Sequence, residues 1–159
     1  MRIAIGNDHR GVQFKRKLVD LLSRLGHEVV DVGTDSSESV DYPDIASLVA
    51  CKVAKKEVDR GILICGTGIG MAITANKVPG IRATTCHDEV TAEICRRHND
   101  VNVLCLSADL VGEQRVQRMV EVWLGTEFDG GRHERRISKI AELESQACHE
   151  PCEGGGCGG

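Results

Sequence analysis

The chain has 159 residues, the length of one domain, and its 41% hydrophobic and 28% charged composition suits a protein that buries a real core. Acids outnumber Lys plus Arg by 24 to 20, and the only aromatics are Trp123, Tyr42, Phe14 and Phe128, so the basic excess and stacking platform of a nucleic-acid binder are both missing. With no apolar run of about 18 residues and no signal-like stretch before the first strand, the expectation is a soluble, cytoplasmic, single-domain protein with no membrane partner.

In chain order, short β-branched runs alternate with helical periodicity. Strands are predicted at Arg2–Gly6, Glu28–Val32, Gly61–Cys65, Ile81–Thr85 and Val101–Leu106. Phe14, Leu18, Leu21, Leu22 and Leu25 mark a first helix that stops at Gly26. Tyr42-Pro43 opens a second carrying Ile45, Leu48, Val49 and Val53. A third starts around Gly68–Gly70 and reaches about Asn76, and a fourth covers about Asp88–Arg97. Val116, Met119, Val120, Trp123 and Leu124 give a fifth, and after Gly130-Gly131 a sixth carries Ile137, Ile140 and Ala141. Five strands alternating with helices predict an α/β fold: a three-layer α/β/α, Rossmann-like, doubly wound sandwich around a five-stranded parallel sheet. The domain is expected over residues 1–144, with 145–159 a Cys- and Gly-rich tail.

Eight cysteines without an export signal argue against a disulfide framework. Cys51, Cys86, Cys95 and Cys105 sit in apolar segments, where a free thiol behaves as a small hydrophobe. In the tail, Cys148, His149, Cys152 and Cys157 have soft-metal chemistry but match no standard zinc spacing.

Ligands of an open parallel sheet bind beyond the carboxyl ends of the strands. Two loops there are unusual. Gly6-Asn7-Asp8-His9-Arg10-Gly11 packs three ionisable side chains between glycines directly after the first strand. Cys65-Gly66-Thr67-Gly68-Ile69-Gly70 follows the third strand and enters a helix, so backbone N–H groups can approach an anion. No Lys-Ser/Thr pair closes this loop, so it is not a Walker phosphate loop. Its G-x-G-x-G spacing is a poor dinucleotide fingerprint, Met71 excludes a Cys-x5-Arg phosphatase loop, and no C-x-x-C is present. What survives is a nest of amides with a thiol at its mouth. Thiols at helix N-termini ionise readily. Such a group suits proton abstraction beside a carbonyl, with the amides stabilising an enediolate, and covalent attack by Cys65 is the competing use.

Two further clusters complete the pattern. His98, in Arg96-Arg97-His98-Asn99-Asp100, either stabilises a helix C-terminus or serves as an acid/base. Arg132 and Arg136 share one face of the sixth helix, as a phosphate fork or as a solvated charged face. Helices run back from the carboxyl ends of the strands, so His98 and Arg132 belong near the opposite end of the sheet from Cys65. If all act in one site, a second subunit must supply some of them, which predicts a symmetric dimer with two shared sites.

The motifs Asn7-Asp8-His9-Arg10-Gly11, Asp41-Tyr42-Pro43, Ile64-Cys65-Gly66-Thr67-Gly68-Ile69-Gly70, Ala75-Asn76-Lys77, Gly80-Ile81-Arg82-Ala83, Arg97-His98-Asn99-Asp100 and Gly130-Gly131-Arg132-His133 together closely resemble the type B ribose-5-phosphate isomerases, over about residues 1–144. Those enzymes belong to a wider sugar-phosphate isomerase family that includes galactose-6-phosphate isomerase subunits. The resemblance implies reversible aldose–ketose isomerisation of ribose 5-phosphate and ribulose 5-phosphate through a cis-enediolate. It further implies a homodimer or dimer of dimers with no metal and no organic cofactor. By the same resemblance Cys65 is the base that moves the proton between C1 and C2. The backbone of Gly66, Gly68, Ile69 and Gly70 stabilises the enediolate and Thr67 assists proton movement. His98 opens the furanose ring, with Asp8 at the ring oxygen. His9, Arg132 and Arg136 hold the phosphate and Asn99 a substrate oxygen. Another branch of the family places a glutamate base in the following helix, where this chain has Met71-Ala72-Ile73.

One position departs from the pattern. Many relatives carry an arginine where this chain has Asp109, which would repel a nearby phosphate dianion. That departure supports a non-catalytic sugar-phosphate binder as one alternative; the closer one is an isomerase of a six-carbon aldose phosphate (allose or galactose 6-phosphate).

Overall fold

The computed structural model describes residues 1–147. Its elements follow one another as β1 (Arg2–Asn7), α1 (Val12–Arg24), β2 (Glu28–Asp31), α2 (Tyr42–Ala54), β3 (Arg60–Cys65), α3 (Ile69–Ala75), β4 (Ala83–Thr85), α4 (Glu89–Asn99), β5 (Val103–Ser107), α5 (Glu113–Gly125) and α6 (Arg132–Ala147). All five strands are parallel, in the order β2-β1-β3-β5-β4.

The three central strands read as almost uninterrupted apolar runs because both faces of the sheet are covered. Alternation along each strand divides these residues between two cores. Ile3, Ile5, Ile62, Ile64, Leu104 and Leu106 pack with Leu18, Leu22, Met119 and Trp123 of α1 and α5. Ala4, Leu63, Cys65, Val103 and Cys105 pack on the other face with Val49 of α2 and Met71 of α3. The result is the predicted three-layer α/β/α sandwich.

The chain leaves β1 toward β2 on one side and β3 joins β1 on the other, so the strand order reverses between β1 and β3. A crevice opens at the carboxyl ends of two strands where their connections diverge in this way. The two unusual loops flank that crevice.

Several boundaries differ from the sequence prediction. β4 begins at Ala83 rather than Ile81, because the Arg82 N–H is taken by the Asn102 side chain at 2.8 Å instead of a ladder partner. β5 begins at Val103, since the Val101 N–H closes the end of α4 on the Cys95 carbonyl. α4 continues through His98 and Asn99 to a left-handed cap at Asp100 (φ 44°). That conformation is costly for a residue with a Cβ; two guanidiniums hold it there, Arg82 and Arg96, each 2.7 Å from an Asp100 carboxylate oxygen. α6 runs to Ala147, past the expected boundary at 144, through good helix formers such as Glu142, Leu143 and Glu144. The tail cysteines Cys148, Cys152 and Cys157, with His149, lie outside the described residues. No helix among the described residues is long and apolar enough to cross a membrane.

Candidate active site

Asn7 ends β1 fully buried, and its amide donates to the carbonyls of Asp8 (2.8 Å) and Thr34 (3.0 Å), fixing where the first loop leaves the sheet. The Asp8 N–H bonds the Ile64 carbonyl, so this loop is tied to the end of β3. The Asp8 carboxylate accepts the Arg10 N–H at 2.9 Å, closing a local turn rather than capping α1, whose first residue follows Gly11 with no side-chain cap. His9 is half-buried, and its Nδ1 accepts the Val40 N–H at 3.4 Å. The neutral ring therefore carries its proton on Nε2.

Cys65 closes β3 with 5% of its surface exposed, and its Sγ accepts the Gly68 N–H at 3.0 Å. That bond needs Gly68 in the left-handed region (φ 78°), where it starts α3, and any Cβ there would press on the Leu106 backbone at 3.2 Å. Thr67 is exposed, and its Oγ1 accepts the Ile69 N–H at 3.3 Å. The loop after β5 holds this nest from beneath. The Ser107 hydroxyl donates to the Gly66 carbonyl at 2.6 Å, Asp109 N–H adds a second bond to it, and Ala108 N–H bonds the Cys65 carbonyl at 2.9 Å. Asp109 reaches over Gly66 and accepts from the Arg10 guanidinium at 2.8 Å, an interaction that raises the arginine further above its ordinary value.

A second cluster forms between α4 and α6. The imidazoles of His98 and His133 stack with centroids 4.1 Å apart and planes 6° from parallel. Asp129 accepts from Arg97 at 3.2 Å, which holds its carboxyl below the usual range. Arg132 lies against His133, with 3.4 Å between Nε and Nε2. Burial, then the charges of His98, Arg132 and Arg136, lower His133 below the ordinary imidazole value. Arg132, Arg136 and Asn99 are exposed beside the stack. His98, Asp129 and His133 place ligand atoms within 4.8 Å of one another, as a metal would need. Arg97 already occupies the carboxylate and two further arginines adjoin, so the cluster suits an anion better than a cation.

Of the predicted residues, the structure gathers Asp8, His9, Cys65, Gly66, Thr67, Gly68, Ile69 and Gly70 at the carboxyl ends of β1 and β3. It gathers His98, Asn99, Arg132 and Arg136 elsewhere. Asn99 precedes the first residue of β5, whereas Cys65 pairs with its last, Ser107. One strand length, about 13 Å at 3.3 Å per residue, separates the two groups along the sheet. Sequence reasoning missed the Arg10–Asp109 pair, the Ser107 support and the roles of Asp129 and His133. Position 133 was accessible from sequence, being inside the same helical turn as Arg132 and Arg136. The Arg10 partner was not, since 99 positions separate the two.

The chain is similar to known proteins over nearly its whole length. Ribose-5-phosphate isomerase B of Escherichia coli is 48% identical over 145 residues, covering 91% of this chain and 97% of that protein. The structure of ribose-5-phosphate isomerase B from Clostridium thermocellum superimposes with a TM-score of 0.90 at 50% identity, covering 92% of this chain and 99% of the other. The enzyme of Mycoplasma genitalium, solved with bound ribulose 5-phosphate, gives a TM-score of 0.88 at 43% identity over 91% and 97% of the two chains. The profile of the Ribose/Galactose Isomerase family matches residues 3–140, and the chain belongs to that family.

Proposed function

We propose that this protein is a ribose-5-phosphate isomerase, interconverting ribose 5-phosphate and ribulose 5-phosphate at sites shared by two copies of the chain. The carrying observation is the Cys65 sulfur held by an amide of the Gly66–Gly70 nest at the strand-order reversal, in a chain of this family.

In the aldose-to-ketose direction the Cys65 thiolate takes the proton from C2 while the C1 carbonyl becomes an enediolate oxygen. The amides of Gly66, Gly68, Ile69 and Gly70 border the place where that negative charge grows, and fixed donors aimed at developing charge are the strongest single contribution to such a step. Returning the proton to C1, with the hydroxyl proton passing from O2 to O1 by way of Thr67, completes the ketose. Asp8 lies at the ring oxygen, and His9 binds the phosphate through Nε2.

Ring opening and the rest of the phosphate grip need His98, Asn99, Arg132 and Arg136, which sit at the other end of the sheet in the same chain. A second subunit brings them to Cys65. Tyr42, Leu48, Ile69, Ile73, Ile140 and Leu143 are each at least 41% exposed, an apolar surface on α2, α3 and α6 that pairing would bury.

The test is turnover on a panel of four-, five- and six-carbon aldose phosphates. The expected result is the highest kcat/KM on ribose 5-phosphate. A preference for a six-carbon phosphate, or binding without product, overturns the reading.

A further inference from the structure

Two thiols that the isomerisation does not use face each other across the end of the sheet. Cys86 directly follows β4, Cys95 lies on α4, and their Sγ atoms are 3.8 Å apart with both residues buried. A disulfide needs about 2.05 Å between the sulfurs, so closing it asks for a movement of under about 2 Å. The pair is also unequal. The hydrogen-bonding contact with Cys95, helped by Thr91, draws Cys86 below the ordinary thiol value even against its burial. Cys95 is pushed up by the same contact and by burial. Cys95 borders a cavity of about 320 Å³ lined also by Ile81, Thr84, Asn99, Val101 and Ile140, so a small oxidant approaches the pair from its Cys95 side.

We propose that Cys86 and Cys95 are a peroxide-reactive dithiol that closes to a reversible disulfide and so slows the isomerase. The Cys86 thiolate attacks a hydroperoxide oxygen; the O–O bond breaks, Cys86 becomes a sulfenic acid, and water or an alcohol leaves. The Cys95 sulfur then attacks the Cys86 sulfur, the S–O bond breaks, and a second water carries off the thiol proton. Two thiols have lost two electrons and the peroxide has gained them.

The link to turnover is short. The Cys86 N–H bonds the Cys105 carbonyl, and the preceding residue, Thr85, lies against Gly68, its methyl carbon only 3.1 Å from where a Cβ would stand. Gly68 is the residue whose N–H holds the Cys65 sulfur. Drawing Cys86 toward α4 pulls Thr85 off the nest. This effect on turnover rests on the function proposed above; the disulfide itself does not.

The experiment treats the full chain with hydrogen peroxide, blocks remaining thiols with an alkylating agent, and digests with trypsin. Both cysteines fall in one tryptic peptide, Ala83–Arg96. The expected peptide is lighter by two hydrogen atoms, carries no alkyl group, and regains both thiols with dithiothreitol. Isomerisation falls in parallel by about tenfold, a usual size for coupling between sites, and recovers on reduction. Cys95→Ser, with Cys95→Ala as a second variant should one fail to fold, keeps its basal activity and resists the same peroxide dose. The proposal fails if that peptide takes two alkyl groups after peroxide, or if Cys86 is found bridged to Cys105. It also fails if the bridged protein turns over at full rate, or if the Cys95 variants are inactivated as fast as the parent, which would place the damage at Cys65. Should the protein prove to isomerise no sugar phosphate, the peptide mass still decides the disulfide while the functional reading alone falls.

Discussion

Arg10 and Asp109 meet at 2.8 Å over the backbone of Gly66, joining the loop after β1 to the loop after β5 at the rim of the candidate active site. Position 109 is thus an acid whose charge is spent on a cation two residues beyond Asp8. Both side chains are well exposed, so the pair contributes little to stability. Its effect belongs to the charge that a phosphate meets.

Asp109→Asn is accordingly expected to lower KM for ribose 5-phosphate by about fivefold, the effect of removing one like charge worth about 1 kcal/mol at a solvated site. Arg10→Ala is expected to raise KM by a similar factor, leaving Asp109 without its partner. Neither change should move kcat by more than about twofold or the midpoint of unfolding by more than about 0.5 kcal/mol. Steady-state kinetics with a denaturant titration checks both. An increased KM in Asp109→Asn would mean that the acid serves by orienting Arg10.

The separation of Cys65 from His98 along one chain leads to a second expectation. Cys65→Ala and His98→Asn should each be nearly inactive on cyclic substrate, yet mixing them after subunit exchange should restore turnover. Random pairing makes half of the dimers hybrid, each with one intact site, so about a quarter of wild-type activity is expected. Exchange demonstrated by mass spectrometry without recovery would place both groups in a single-chain site.

Gly68 combines a backbone requirement with the role proposed for its amide above. Gly68→Ala puts a Cβ at φ 78°, about 1–2 kcal/mol uphill, and crowds the Leu106 backbone. The folded protein should survive, while displacement of the N–H from Cys65 costs kcat about 10²-fold, the usual loss when one oxyanion-type donor is removed. Comparing kcat with the unfolding midpoint separates the two effects. A loss of stability with unchanged kcat would remove the Gly68 amide from the chemistry.

The parallel sheet was legible because β1, β3 and β5 are buried on both faces, and a two-sided burial writes itself as continuous apolar runs such as Gly61–Cys65. The placement of the first half of the candidate site was legible for a related reason: ligand loops follow the carboxyl ends of strands, and both Asp8-His9-Arg10 and Cys65–Gly70 do so. Even the opposite placement of His98 follows from helices running back along a parallel sheet. What stayed hidden depends on side chains distant in sequence. The Asn102 side chain shortened β4 by occupying the Arg82 N–H, and the stacking of His98 on His133 needs the relative pose of α4 and α6. Lys15 is a further case, a lysine three positions before Leu18 on the apolar stripe of α1, which the structure buries to 1% exposure.

That lysine supports the start of the sheet and gives a prediction in pH. Its Nζ lies 2.9 Å from Asp31 and 2.8 Å from Asp35, tying α1 to the end of β2 and the loop beyond. Burial works against the ammonium, but the two carboxylates more than offset it and raise Lys15 above its ordinary value. The hydrogen bond from Lys15 in turn lowers Asp35. A depressed carboxylate adds stability that is present above its unfolded value of 3.8 and is lost as pH falls through the lower folded value. A raised ammonium adds stability that is present below its unfolded value of 10.5 and is lost as pH rises through the higher folded one. The triad is therefore at full strength across neutral pH and fails first in acid. Asp31→Asn with Asp35→Asn strands the buried ammonium and should cost about 2 kcal/mol at pH 7, somewhat below the usual penalty because water still reaches the two partners. Lys15→Met removes the charge with its stem retained and should cost under about 1 kcal/mol. Urea unfolding at pH 7 ranks the variants, and repeating it below pH 4 should show the parent losing more stability than Lys15→Met. Equal losses in acid would mean that the Asp35 carboxylate gains nothing from Lys15 in the folded chain.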